Sequence, residues 1–140
     1  MANARYWLMK SEPTSFSIQD LRAAPKKTTS WDGVRNYAAR NFLGQMRTGD
    51  LVLFYHSVTE KAVVGIAKVK TEAFPDPSIP EDPRWLSVEL VPFRDFKDPV
   101  TLSQIKADPR LQEVALIRQS RLSVMPLKPE EYDVIVGLGN

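Results

Sequence analysis

Residues 51–57, LVLFYHS, read as a β-strand that is apolar on both faces, with Leu51, Leu53 and Tyr55 on one side and Val52 and Phe54 on the other. Successive strand residues point to opposite faces, so a half-solvated strand alternates polar with apolar. A strand without that alternation is covered on both sides, as in a barrel wall with a helix packed outside it. The segment just upstream supplies such a helix. Tyr37, Phe42, Leu43 and Met46 fall on one broad apolar face, Asn36 is placed to cap it, and Gly49-Asp50 turns the chain into the strand. Downstream, AVVGIAKVKTEAF (62–74) reads as the next strand, with Gly65 at a bend or bulge.

The rest of the chain extends this pattern. RYWLMKS (5–11) is a strand stopped at Glu12-Pro13, and SFSIQDLRAA (15–24) is a short helix capped by Ser15 or Ser17 and ended by Pro25. A polar, lysine-containing loop leads from there to Trp31. FPDPSIPEDP (74–83) breaks regular structure but is too short for a domain linker. RWLSVELVPF (84–93) alternates, with Leu86, Val88 and Leu90 on one face and Trp85, Ser87 and Glu89 on the other. After KDPV (97–100), Thr101 caps a short helix through Ile105, and a second covers Leu111 to Ile117. SRLSVMPL (120–127) is extended, and KPEEYDVIVGLG (128–139) starts a helix at Pro129 with acidic residues in its first turn. Strands separated by helices of uneven length imply an α+β chain: a mostly antiparallel barrel or curled sheet with helices on its rim, not a doubly wound parallel sheet. Residues 1–140 are expected to form a single domain.

Composition narrows the function. With 19 basic and 17 acidic residues the net charge is only +2, too little for sequence-blind wrapping of duplex, so a nucleic-acid partner would be held at a local site. The absence of cysteine excludes disulfides, a thiol nucleophile and thiolate metal ligands. No apolar run approaches the roughly 20 residues of a membrane span, and MANARYWLMK lacks the features of a secretory leader. A cytoplasmic protein with no membrane partner is expected. There is no phosphate-binding glycine loop, dinucleotide fingerprint or HExxH. His56 is the only histidine, and its neighbour Ser57 points to the opposite strand face, away from a nucleophile–base geometry. One imidazole plus carboxylates without ligand spacing does not make a metal site. No catalytic residue, cofactor or metal is therefore expected.

A different set of residues accumulates instead. Trp7, Trp31 and Trp85 are joined by Tyr37, Phe54 and Tyr55, by Ser11, Asn36, Asn41, Ser57, Ser120 and Ser123, and by Arg35, Arg40 and Arg121. Aromatic faces stack on a planar base, amides and hydroxyls read its edge, and arginine grips phosphate bidentately. Each also has a plainer reading: tryptophans as core, Arg35 and Arg40 as a solvated helix face, Asn36 as a cap.

The order of these words carries more than their content. YWLMKSEP (6–13), SWDGVRNYAARNFLGQMRTGDLVLFYHS (30–57), GIAKV (65–69), RW (84–85) and RQSRLSVMPL (118–127) together resemble the EVE domain family, in one register from Tyr6 to about Val136. The resemblance implies a PUA-like fold, a small mixed, mostly antiparallel β-barrel with helices packed around it, related to the YTH domains that read methylated adenine in RNA. It also implies a non-enzymatic reader that takes an extruded, often modified base into an aromatic-lined pocket. Modified cytosine in DNA and modified RNA are the two partners it suggests. Carried over by position, KSEP gives Ser11 and Glu12; WDGVRN gives Trp31, Val34, Arg35 and Asn36; YHS gives Tyr55, His56 and Ser57; SRLSV gives Arg121, Leu122 and Ser123. The expected roles are a stacking wall for Trp31 and edge hydrogen bonds for Ser11, Asn36 and Ser57. Arg35, Arg40 and Arg121, with Asn41 beside them, would contact phosphate or brace the loop. The chain departs from the family pattern at Ala38, where glutamine is common, in VTEKAVVG (58–65), in a shorter loop before Trp85, and at Lys128 in place of a Ser or Thr cap. Two alternatives stand beside this reading: a small hydrolase using His56 and Glu12, and a plain protein-interaction domain whose tryptophans are core. A monomer is expected.

Overall fold

The computed structural model describes residues 5–14, 16–31, 34–58, 60–119 and 121–139; Ser15 and Ser120 lie outside them. In chain order the elements are β1 (Tyr6–Ser11), α1 (Ile18–Ala23), β2 (Thr29–Trp31), α2 (Tyr37–Gln45), β3 (Leu51–His56), β4 (Ala62–Pro75), β5 (Leu86–Thr101), α3 (Leu102–Ala107), α4 (Ala115–Arg118), β6 (Val124–Leu127) and α5 (Pro129–Gly139). The six strands form one sheet in the order β2-β5-β4-β3-β1-β6. Among the described residues only β1 and β3 run parallel, in register from Tyr6↔Leu51 to Ser11↔His56. The other pairs are antiparallel.

The sheet curls on itself, and two contacts prove it. β2 and β3 are three ladders apart, roughly 14 Å in a flat sheet whose side chains stand perpendicular to it. Nevertheless the rings of Trp31 and Phe54 meet edge to face with centroids 5.5 Å apart. At the other side, α2 packs against β4 and β5 and also against β6, which lies at the far end of the strand order. Register shifts along the β4–β5 ladder, one between Val63 and Gly65, supply the bend. At Gly65 a Cβ would lie 2.3 Å from Ile18 Cδ1 and 2.9 Å from the Arg94 carbonyl oxygen, so the absence of a side chain there makes room for α1.

Residues 52–56 of β3 are all buried, as the two-sided apolar pattern predicts. The core continues through Leu8 and Met9 of β1, Val88 and Leu90 of β5, Leu43 of α2 and Ile135 of α5. Caps match their sequence signals. Ser17 and Asp20 form a capping box on α1, Thr101 and Gln104 another on α3, and Asn36 Oδ1 accepts the Ala39 N–H at 2.9 Å on α2. Lys128 offers no side-chain acceptor to α5, and its own N–H donates to Glu131 Oε1 at 2.8 Å.

Four local expectations are corrected. Residues 29–31 are a strand, not the end of a loop, held by pairing with Val88–Leu90. β5 runs through KDPV to Thr101, because Val100 and Thr101 pair with Val63 and Ala62. The helix expected over Leu111 to Ile117 is a 3-10 turn at Pro109–Leu111 followed by the short α4. Tyr37 leaves the apolar face of α2: it is 55% exposed and stacks on Trp85, while Ala39, Leu43 and Met46 fill the core. Among the described residues no helix is long and apolar enough to cross a membrane.

Candidate functional site

The end of β1 is where polar groups and open space meet. After Glu12 the chain turns back on itself: the Phe16 N–H donates to the Glu12 carbonyl at 2.8 Å, and Ser11 Oγ donates to the Phe16 carbonyl at 2.5 Å. That turn swings Phe16 over the strand end and sets its ring edge-on to Trp31, at 6.4 Å and 88°. Phe54 meets Trp31 edge-on from within the barrel, so the indole plane is fixed by two rings. Lys10, Ser11, Glu12, Phe16, Thr29, Ser30 and Trp31 line a cavity of about 450 Å³. The serine hydroxyl proton is used internally, but its lone pairs stay available to a donor. Burial pushes the Lys10 ammonium below its ordinary range.

A second cavity of about 590 Å³ adjoins the first, sharing Lys10 and Glu12. Tyr55, Ser57 and Ser123 line it, with Lys61 and Lys106. Backbone bonds gather these groups: the Ser57 N–H donates to the Ser11 carbonyl and the Lys10 N–H to the Ser123 carbonyl, both at 2.9 Å. Burial raises the Tyr55 hydroxyl above its ordinary range, which keeps it a donor.

The remaining sequence-derived residues lie elsewhere. Asn36, Arg121 and Leu122 line a separate depression of about 330 Å³ with Ala38 and Arg118. Val34 is buried in the core. Arg35 Nη1 donates at 2.9 Å to Asp76, whose side chain is fully buried, and Nη2 donates at 3.2 Å to Ser78 Oγ, with Trp85 beneath the guanidinium. Arg35 thereby ties the segment after Trp31 to the proline-rich loop. In that loop the Arg84 guanidinium beside Asp82 holds its carboxyl at about 2. Arg40 lies over Tyr37 and donates to Asn41 Oδ1 at 2.9 Å.

His56 is 3% exposed and both its ring nitrogens are occupied. The Ile18 N–H needs an acceptor and finds Nε2 at 3.1 Å, so Nδ1 carries the proton and faces Glu60 Oε1 at 2.6 Å. The imidazole docks α1 onto β3. Among the described residues no group of His, Asp and Glu is arranged to hold a metal ion.

Ser11, Glu12 and Trp31 thus converge on one cavity, and Tyr55, Ser57 and Ser123 on its neighbour. Phe16, Thr29, Ser30 and the lysines Lys10, Lys61 and Lys106 also line these cavities, without a sequence signal that singles them out. Thr29 and Ser30 directly precede Trp31 in β2, so a strand at that place would have flagged them.

A curled, mostly antiparallel sheet with an aromatic-walled cavity at the end of its first strand defines the class: a small PUA-like α+β barrel. The EVE domain model matches residues 5–138, and the chain belongs to that family. It is 40% identical to human thymocyte nuclear protein 1, over 95% of this chain and 73% of that protein. In structure it is similar to Atu2648 of Agrobacterium tumefaciens, with a TM-score of 0.95 and 39% identity over 98% of this chain and 94% of that one. It is also similar to human THYN1 in complex with 5-methylcytosine-containing DNA, with a TM-score of 0.92 and 36% identity over 98% of each chain.

Proposed function

We propose that this domain is a non-enzymatic nucleic-acid reader whose cavity beside Trp31 takes in one extruded base, with modified cytosine in DNA the first candidate and modified RNA the second. The observation that carries the reading is the state of Trp31. Trp7 and Trp85 are buried, whereas Trp31 is only partly buried and walls a cavity with hydroxyls from Ser11, Thr29 and Ser30 around it. Cavities of this volume suit a small planar ligand. The DNA-bound human relative supports the choice of polymer.

Extrusion costs a few kcal/mol, and stacking on one aromatic returns about 1–3 kcal/mol. Edge hydrogen bonds or a single-stranded target must supply the remainder, so an isolated domain binds with modest affinity. Arg35 acts here as a brace, since its guanidinium is engaged by Asp76 and Ser78. The hydrolase alternative loses its base, because neither nitrogen of His56 is left for a substrate. An interaction domain with purely core tryptophans has no use for a cavity walled by Trp31.

Titration with short duplexes, single strands and RNAs, each with and without the modified base, tests the reading through tryptophan fluorescence. Quenching that disappears in Trp31→Ala is expected. A folded protein quenched by none of the oligomers would overturn it.

A further inference from the structure

Of the arginines expected at phosphate, Arg35 is engaged by Asp76, Arg40 by Asn41 and Tyr37, and Arg121 lines a separate depression, not the cavities at the end of β1. The cationic groups at open space beside the Trp31 cavity are lysines. In the adjoining cavity Lys10, Lys61 and Lys106 set three ammonium groups against the single carboxylate of Glu12. Lys61 and Lys106 are exposed and have no ion-pair partner among the described residues. Their placement is built in. The Leu102 N–H donates to the Lys61 carbonyl at 2.8 Å, fastening the β3–β4 connection to the first turn of the helix that carries Lys106. That connection holds Val58 at φ 69° and Lys61 at φ 50°, left-handed conformations that are uncommon for such residues and cluster at functional sites. Tyr55, Ser57 and Ser123 add hydroxyl donors, and Leu102 and Leu116 provide apolar floor for the carbons of a sugar.

We propose that this second cavity seats a backbone phosphodiester beside the nucleotide whose base enters the Trp31 cavity, with Lys61 and Lys106 as its binding groups and Lys10 on the shared wall. The inference rests on the base-reading proposal and adds where the strand runs. It places the backbone over the ends of β1, β3 and β6 and not over Arg35 and Arg40, which line neither cavity. Lysine acts here as a point charge, so this contact is sequence-blind and salt-sensitive, while discrimination stays with the base cavity.

The test compares wild type, the double variant Lys61→Gln/Lys106→Gln and the control Lys97→Gln, whose lysine lines neither cavity. Each is titrated over a salt series with an oligonucleotide carrying the bound base and with the same oligonucleotide abasic at that position. Each phosphate contact contributes about 0.7–0.9 to the slope of log K against log salt. The double variant should lose that slope for the contact it removes, weaken about tenfold at low salt, and still quench Trp31 fully at saturation. The abasic oligomer should lose the quenching but keep its dependence on Lys61 and Lys106. Wild-type affinity and slope in the double variant, with Trp31 still quenched, would overturn the phosphate seat and leave the base reading intact. An equal loss in Lys97→Gln, or Lys61/Lys106-dependent binding of polyglutamate in preference to the abasic oligomer, would overturn it as well. Binding of neither oligonucleotide by wild type would overturn both.

Discussion

Trp7 and Trp31 are the same residue on the same sheet, and the barrel uses them in opposite ways. Trp7 sits in β1 at 2% exposure, and its indole N–H donates to Asp50 Oδ2 at 2.9 Å. The same carboxylate accepts the backbone N–H groups of Arg5 at 3.0 Å and Arg47 at 2.9 Å. Trp31 closes a three-residue edge strand, touches Phe54 and Phe16 edge-on, and has no hydrogen bond on its indole among the described residues. The difference is one of polar satisfaction. A buried indole N–H must find a partner, whereas one at a cavity wall can wait for a ligand. One ring therefore fastens chain segments together; the other is positioned by neighbours and spends nothing on them.

The largest effect should come from Asp50→Ala. It leaves three donors without their acceptor in a place water reaches poorly, and each such group costs about 1–3 kcal/mol. A loss of about 3–5 kcal/mol in urea unfolding is expected. Base binding per folded molecule should be unchanged, because Asp50 lines neither cavity. A fall in affinity without a fall in stability would break the division of labour between the two tryptophans.

Gly65→Ala should come next. Its Cβ would meet Ile18 Cδ1 at 2.3 Å and, less forgivingly, the backbone oxygen of Arg94 at 2.9 Å. Overpacking of this kind costs about 1–3 kcal/mol. Ile18 is anchored to His56 through its N–H and stands two residues from Phe16, so displacing it should also disturb the wall beside Trp31. Both denaturation and oligonucleotide titration should register this variant, in contrast to Asp50→Ala.

These two regions were not equally legible in the sequence. The two-sided apolar run LVLFYHS announced a strand covered on both faces, and β3 lies inside the strand order between β4 and β1. Gly65 likewise marked a bend or bulge within a strand, and the β4–β5 register shifts beside it. The site was harder, because it depends on pairings remote in sequence. Three residues of β2 are too few to show alternation, and only β5 makes them a strand. Arg35 and Asp76 are 41 positions apart, so local charge could not show that the arginine was already taken. Lys61 and Lys106, 45 positions apart, meet at one cavity through the Ala62–Thr101 pairing of β4 with β5 and the adjoining Leu102–Lys61 hydrogen bond. Tyr37 had helical spacing for the core, yet Trp85 offered it a stacking partner at the surface. The KSEP and WDGVRN resemblance named residues at the ends of β1 and β2; which of those residues line a cavity is set by the fold.

Asp76→Asn should produce a smaller loss. Its carboxylate accepts from Arg35, from the Ser78 N–H at 2.7 Å and from Ser78 Oγ at 2.6 Å. Asparagine keeps one acceptor but turns an amide donor toward another group of donors. Because the Arg35 side chain is 39% exposed, water screens part of the lost attraction, and a cost of about 1–2 kcal/mol is expected. Oligonucleotide affinity should weaken a few-fold, since the braced segment begins four residues after Trp31. Unchanged affinity would detach the brace from the site.

Trp31→Phe is the sharpest test because its stability effect should be the smallest, under about 1 kcal/mol. Phenylalanine retains the edge contacts with Phe54 and Phe16, and no indole hydrogen bond is lost among the described residues. Stacking on the smaller ring is weaker, so binding should fall by about tenfold or less, within the 1–3 kcal/mol that base–aromatic stacking contributes. The fluorescence response to oligonucleotide should vanish altogether, because Trp7 and Trp85 are buried away from the cavity. Calorimetric titration then measures the affinity that fluorescence can no longer report. If Trp31→Phe instead unfolds the protein nearly as readily as Asp50→Ala, Trp31 is a core wedge like Trp7, and the contrast between the two rings disappears.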